Sequence, residues 1–212
     1  MHTSNGRFLL FLIFSLGIFQ SPFTHAMPPA LIAQSGQTLC YNTSGVNISC
    51  PGTGQDGDKM TGVASTAPRF TVNVHNDGVT PDGTVTDNLT GLIWLKYVDC
   101  FSTMTWGEAL TSVRIIAADV CNLTDGSTAG QWRLPNINEL ESLVDAQQSS
   151  PAIPSGHPFA GVQSGGYWSS STDTVSTDKT WYVNMNDGAS FNAVKSYNGY
   201  HIWPVRGRQK GL

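Results

Sequence analysis

Four cysteines, Cys40, Cys50, Cys100 and Cys121, all lie behind one short apolar run, Phe8 to Phe19 (FLLFLIFSLGIF). Arg7 precedes the run and Thr24-His25-Ala26 follows it, which is the charged, apolar, small-residue order of a secretory signal peptide. Residues 1–26 are therefore expected to be removed on export, leaving a chain that is secreted, periplasmic or held at the cell surface. The run is too short for a hydrocarbon core of about 30 Å, and no later segment is apolar enough to cross a membrane. An even cysteine count in an exported chain points to disulfides. Of the possible pairings, Cys40–Cys50 and Cys100–Cys121 are favoured, since each joins near neighbours and neither ties one region to another. A metal site would call for CxxC spacing or a nearby His pair, and the sequence has neither.

At roughly 150 residues per domain, 212 residues hold one cored domain and a small appendage. Only 12% are charged, and the formal net charge of −4 becomes one unit more negative once Arg7 leaves with the leader. Such a composition argues against a nucleic-acid binder, which carries a basic stripe or patch. With 40% apolar and 10% aromatic residues, the chain can fill a core, so disorder is excluded as well.

Residues 27–69 are rich in Gly, Thr and Ser and lack periodicity; Thr38–Tyr41 and Val46–Cys50 suit a short hairpin closed by the first disulfide. From Phe70, the start of a 70–212 domain, Phe70–Val74 alternates as a half-buried strand does. Asp82-Gly83 reads as a turn before Thr84–Thr86, and Leu92–Leu95 as a buried strand. Two helices have start signals of the capping-box type, Thr105 with Glu108 and Asn136 with Glu139. The first puts Trp106, Ala109, Leu110, Val113 and Ile116 on one face; the second buries Ile137, Leu140, Leu143 and Val144 before Pro151 and Pro154. A β-meander follows: Tyr167–Ser169, Trp181–Met185, a turn at Asn186–Gly188, Phe191–Lys195, a turn at Asn198-Gly199 and His201–Val205. The order predicts an α+β fold, two helices packed on short antiparallel strands with a loop-rich C-terminal meander.

No catalytic arrangement stands out. His157 in Ser-Gly-His-Pro-Phe suits a turn, Ser169–Ser171 lacks a nucleophile elbow, and Glu139 and Glu141 point apart on their helix. Asp77, Asp82 and Asp87, with Asn76 and Asn88, supply oxygens of the kind calcium takes; they are off the EF-hand spacing and are also good turn formers. Calcium is the one cofactor suggested. The C-terminal third has the Tyr, Asn, Ser and Gly content of a recognition surface. Its candidate ligand-binding residues are Lys179, Lys195, Tyr197, Asn198, Tyr200 and His201, whereas Trp181, Phe191 and Trp203 are assigned to the core.

Four segments together resemble one family: Asp82–Lys96 (DGTVTDNLTGLIWLK), Trp132–Leu143 (WRLPNINELESL), Tyr167–Ser170 (YWSS) and Trp203–Gly207 (WPVRG). They are similar to the C-terminal domain family of the Legionella collagen-like protein (Lcl), over about Phe70 to Gly207, and the Cys40–Gly62 lead-in resembles one that accompanies many members. The resemblance implies a C-type-lectin-like fold related to that of formylglycine-generating enzymes, whose helix entry is similar to Trp132–Pro135. It also implies secreted or surface-attached proteins and, for the founding member, a trimeric adhesin that binds sulfated glycosaminoglycans. This sequence has no collagen repeat, which leaves a homo-oligomer open, and its acidity weakens any grip on sulfated polymers. No cysteine follows Cys121, so the copper-dependent chemistry of the formylglycine enzymes is not carried over. The expected function is an exported, non-enzymatic, adhesin-like ligand-binding domain for a glycan, a glycosaminoglycan or a surface polymer. Its rivals are a relative of the formylglycine-generating enzymes and a structural matrix protein without a small ligand.

Overall fold

The computed structural model describes residues 32–207, so the expected leader (1–26) lies outside the described residues. Cys40–Tyr41 (β1) and Asn47–Ile48 (β2) form the expected hairpin, closed by Cys40–Cys50. A one-turn helix that sequence reasoning missed, Asp56–Lys59 (α1), follows. The chain continues through Phe70–Val74 (β3), Pro81–Asp87 (β4), Ile93–Leu95 (β5), Trp106–Arg114 (α2) and Ile137–Glu141 (α3). It ends with Gly166–Thr172 (β6), Lys179–Asn184 (β7), Ala189–Val194 (β8) and Val205–Arg206 (β9). Three antiparallel sheets result: β1-β2, β3-β4-β5-β9 and β6-β7-β8. The fold is α+β.

Both helices start as the sequence predicts. The Thr105 hydroxyl accepts the Glu108 amide at 3.4 Å while the Glu108 carboxylate accepts the Thr105 amide at 2.9 Å, and Asn136 and Glu139 repeat the arrangement at 2.9 Å in each direction. Their ends differ from expectation. α2 stops at Arg114, with Ile116 buried beyond it, and α3 stops at Glu141, well before Pro151. The Ser142 hydroxyl bonds the Glu139 carbonyl at 2.7 Å, and Leu143 reaches the core from the turn that follows.

Two other expectations are corrected. Asp82-Gly83 is no turn but part of β4; the chain reverses at His75–Thr80, where the His75 amide bonds the Thr80 carbonyl at 2.9 Å. Gly83 (φ +86°) lies against the Asn122 carbonyl, where a Cβ would clash, so close backbone approach accounts for the glycine. The C-terminal meander ends at β8: the last strand crosses to the other sheet and pairs with β5, Trp94 opposite Val205. Asn198-Gly199 is an irregular link; the turn comes earlier, closed by the Tyr197 amide on the Val194 carbonyl at 3.0 Å.

The core is double because adjacent residues of an extended chain point to opposite faces. Trp94, Tyr167 and Trp203 enter one cluster with Leu140, Val183 and Met185, whereas their neighbours Leu95, Trp168 and Ile202 enter a second with Trp132, Leu134 and Val113. Trp94, Trp132, Trp168 and Trp203 are all fully buried. Each contributes roughly 5 kcal/mol of transfer free energy, from about 200 Å² of ring surface. Trp203 thus fulfils its core assignment. Trp181, on the central strand β7, is only half-buried, and Phe191 is 48% exposed because β8 is an edge strand without a buried residue. Alternation marks a face but not what covers it.

Candidate functional site

The β7–β8 register sets Tyr182 opposite Phe191 and Thr180 opposite Ala193, so these four share one face of the sheet, and Lys195 continues the alternation. Past the turn the chain folds back over this face, where the Met104 amide holds the Tyr200 carbonyl at 3.1 Å. The Tyr200 ring lies 4.1 Å from Tyr182 at 31°, and 4.7 Å from both Tyr197 and Trp168, edge to face. Tyr182 in turn lies 6.0 Å from Phe191. A line of rings results, grounded on buried Trp168 and ending in Phe191 and Tyr197, which are 48% and 46% exposed. Gly166 makes room for the Tyr200 ring and Gly199 for the Tyr197 phenol. Burial, then the neighbouring Tyr182 phenol, raises the Tyr200 hydroxyl above its usual range, so it stays protonated.

Lys195 borders this shelf. Its Nζ stands 4.4 Å above the Trp106 ring and donates to the Thr177 carbonyl at 2.9 Å. Trp106 is fixed in turn: its Nε1 donates to the Ser169 carbonyl at 2.9 Å and its amide to the Lys195 carbonyl at 3.1 Å.

Of the six sequence candidates, the structure brings together Lys195, Tyr197 and Tyr200, with Asn198 exposed in the same loop. Lys179 alternates to the opposite face of β7, where its charge is felt by Asp173. His201 alternates away from Tyr200 and packs 5.3 Å from Tyr167. Trp106, Tyr182 and Phe191 belong to the shelf and were not among the candidates. The pairing of Tyr182 with Phe191 is countable from the Asn186–Gly188 turn, given that Asn184 faces Ala189.

Asp77, Asp82 and Asp87 are not brought together. Asp77 caps its own turn, accepting the Val79 and Thr80 amides at 2.9 and 3.0 Å; the Thr80 hydroxyl, then these amides, hold its carboxyl down at about 2. Asp82 accepts the Thr84 amide at 2.9 Å and hydroxyl at 2.7 Å. Asp87 is buried in a two-point ion pair with Arg69, at 3.1 and 3.2 Å. Among the described residues no three His, Cys, Asp or Glu side chains gather as a metal site would require.

The other polar motifs serve the scaffold. The Ser169 and Ser170 hydroxyls donate to the Trp181 and Pro135 carbonyls at 2.6 and 3.2 Å, and Ser171 accepts the Ile137 amide at 3.1 Å. Arg133 grips Glu139 with two bonds of 2.6 Å. Burial opposes the Glu139 charge, but Arg133 and the Asn136 amide outweigh it and hold the carboxyl below its usual value. A chain of contacts joins distant signature segments. Trp132 Nε1 donates to Ser127 Oγ at 3.0 Å, Ser127 Oγ to Asp125 at 2.7 Å, and Asp125 pairs with buried Arg206 at 2.9 Å. The Arg206 guanidinium lies 5.2 Å above the Trp132 ring.

The family described as the Lcl C-terminal domain matches residues 83–206. The chain belongs to that family. The Lcl C-terminal domain match runs from within β4 to the end of β9, so it takes in the second core, the first core apart from Phe70 and Val72 of β3, and the aromatic shelf, and leaves out β3 and the N-terminal hairpin. No curated protein matches the sequence. Within this Lcl C-terminal domain the signature residues Trp94, Trp132, Trp203 and Arg206 are buried scaffold, and the exposed rings lie between them in sequence. No helix among the described residues is long and apolar enough to cross a membrane.

Proposed function

We propose that this chain is an exported, non-enzymatic ligand-binding domain whose aromatic shelf recognises carbohydrate. The observation that carries this reading is the line of rings from Phe191 through Tyr182 and Tyr200 to Tyr197, half-exposed at both ends and anchored at Trp168. Sugar rings have apolar C–H faces that stack on aromatic surface, and phenols offer uncharged hydrogen bonds to hydroxyls. The two disulfides support an extracellular destination, where such a domain acts as an adhesin or surface-polymer binder. Packing on β7, β8 and α2 holds the rings in one arrangement before any ligand arrives, which lowers the ordering cost of binding.

A glycan array probed with the chain from residue 27 onward tests the reading. We expect at least one glycan class to bind, and Tyr197→Ala or Phe191→Ala proteins with unchanged melting temperatures to lose about tenfold or more in affinity, as removal of a stacking ring does. Wild-type binding by both variants would place the site elsewhere.

A further inference from the structure

We infer that the shelf takes an uncharged saccharide and discriminates against sulfated or carboxylated ones. The inference rests on the carbohydrate reading above and adds the charge class of the ligand.

Charge bookkeeping carries it. Of the eight lysines and arginines between residues 32 and 207, four are paired with carboxylates and two, Lys96 and Lys195, sit over aromatic rings. The other two are Arg114, at the end of α2, and Lys179, on the face of β7 opposite the shelf. No basic patch therefore gathers among the described residues; Arg208 and Lys210 lie outside them. Recognition of a sulfated polymer depends on several accessible cations acting together, each displacing bound counterions from the polyanion.

Among the described residues Lys195 is the one cation at the shelf, and its ammonium is already engaged. The Trp106 ring lies beneath it at 4.4 Å and the Thr177 carbonyl accepts from it at 2.9 Å. Drawing it towards a sulfate would break both contacts. The charges nearest in sequence are negative: Glu108 follows Trp106 on α2, and Asp178 follows Thr177. Hydrogen bonds from Thr105 hold the Glu108 carboxyl below its usual value, so it stays ionised. An anionic sugar over the rings would meet this repulsion, whereas a neutral ring meets apolar faces and protonated phenols.

Isothermal titration of the chain from residue 27 decides the matter, with neutral hexasaccharides of glucose and of N-acetylglucosamine and a heparin hexasaccharide as probes. We expect a neutral probe to bind with a Kd that changes by less than about twofold between roughly 50 and 500 mM NaCl, and heparin to bind about tenfold more weakly or not at all. Lys179→Met, on the face of β7 opposite the shelf, should leave neutral binding within about twofold, while Phe191→Ala, at a 48% exposed position, weakens it about tenfold. Tyr197→Ala provides a second stacking variant should Phe191→Ala misfold. Heparin binding as tight as neutral binding, falling steeply with salt, overturns the inference and leaves the carbohydrate reading standing. Failure of every glycan on the array removes both.

Discussion

Between residues 32 and 69 a single side chain, Cys40, is buried, whereas the stretch from Phe70 to Val205 buries four tryptophans completely. Each region has its own disulfide, and the two bonds do different physical work. In the first, Cys40–Cys50 stands in place of a core, and polar contacts complete the attachment: the Ser35 carbonyl accepts the Ala146 amide at 2.8 Å, and Gln147 accepts the Thr38 amide and hydroxyl at 2.6 and 2.7 Å. In the second, Cys100–Cys121 reinforces a core already present, tying the approach to α2 to a loop in which Asp119, Cys121 and Asn122 all have positive φ. A segment too poor in apolar surface to pack by itself is held by a crosslink; one rich in it needs the crosslink only at its most irregular loop.

The hardest blow to this contrast would come from the second core. Trp132→Ala should destabilise the chain by roughly 3–5 kcal/mol through the cavity and the lost bond to Ser127, as read by chemical denaturation. A variant that kept wild-type stability would show that the signature tryptophan is not scaffold. Next in size, the double variant Cys100→Ser/Cys121→Ser should lose about 2–4 kcal/mol yet still fold, because both cores remain. Failure to fold would put this region in the same class as the N-terminal one.

Acid should also separate the regions. Burial holds the His157 and His201 imidazoles below their ordinary 6.5, and both lie in the cored region. As the pH falls below about 6.5 the unfolded chain takes up protons at these sites that the folded chain resists, so stability declines; above it neither histidine adds any pH dependence. Thermal melts from pH 7 down to 5.5 should show a falling midpoint, smaller in slope for His157→Gln. An unchanged slope would mean that His157 titrates alike in both states. The smallest global effect is expected from Cys40→Ser/Cys50→Ser. Melting of the cored region should stay within about 1 kcal/mol of wild type, while amide exchange speeds up across residues 32–69. A large drop in global stability would contradict the separation of the two regions.

How much of this was readable in advance follows the range of the forces involved. Both capping boxes and both disulfides join residues close in sequence, so the sequence predicts the caps and favours the two pairings that form. Gly83 mimics a turn glycine because its reason, the Asn122 carbonyl, is brought to it by tertiary structure. The pairing of β9 with β5 has no local signal either. In the shelf, Lys195, Tyr197 and Tyr200 are legible from loop composition. Phe191 reads as inward because strand alternation cannot tell an edge from a centre, and Trp106 reads as a core helix residue although it also underlies the Lys195 ammonium.

The stitching role of residues 200–206 sets the order in which the molecule can form. Tyr200 bridges to Met104, His201 to Tyr167, and Val205 to Arg133 and Trp94, while Trp203 Nε1 donates to the Leu95 carbonyl 108 positions earlier. Both cores stay open on one side until this segment docks, so the search for it spans most of the chain, and such distant contacts make folding slow. A chain cut after Gly199 still has every strand of the β3-β4-β5 and β6-β7-β8 pairings but lacks Ile202 and Trp203, one for each core. Closure of both cores therefore rests on β9 and the few residues before it, which act as the common fastener of sheets that pair separately.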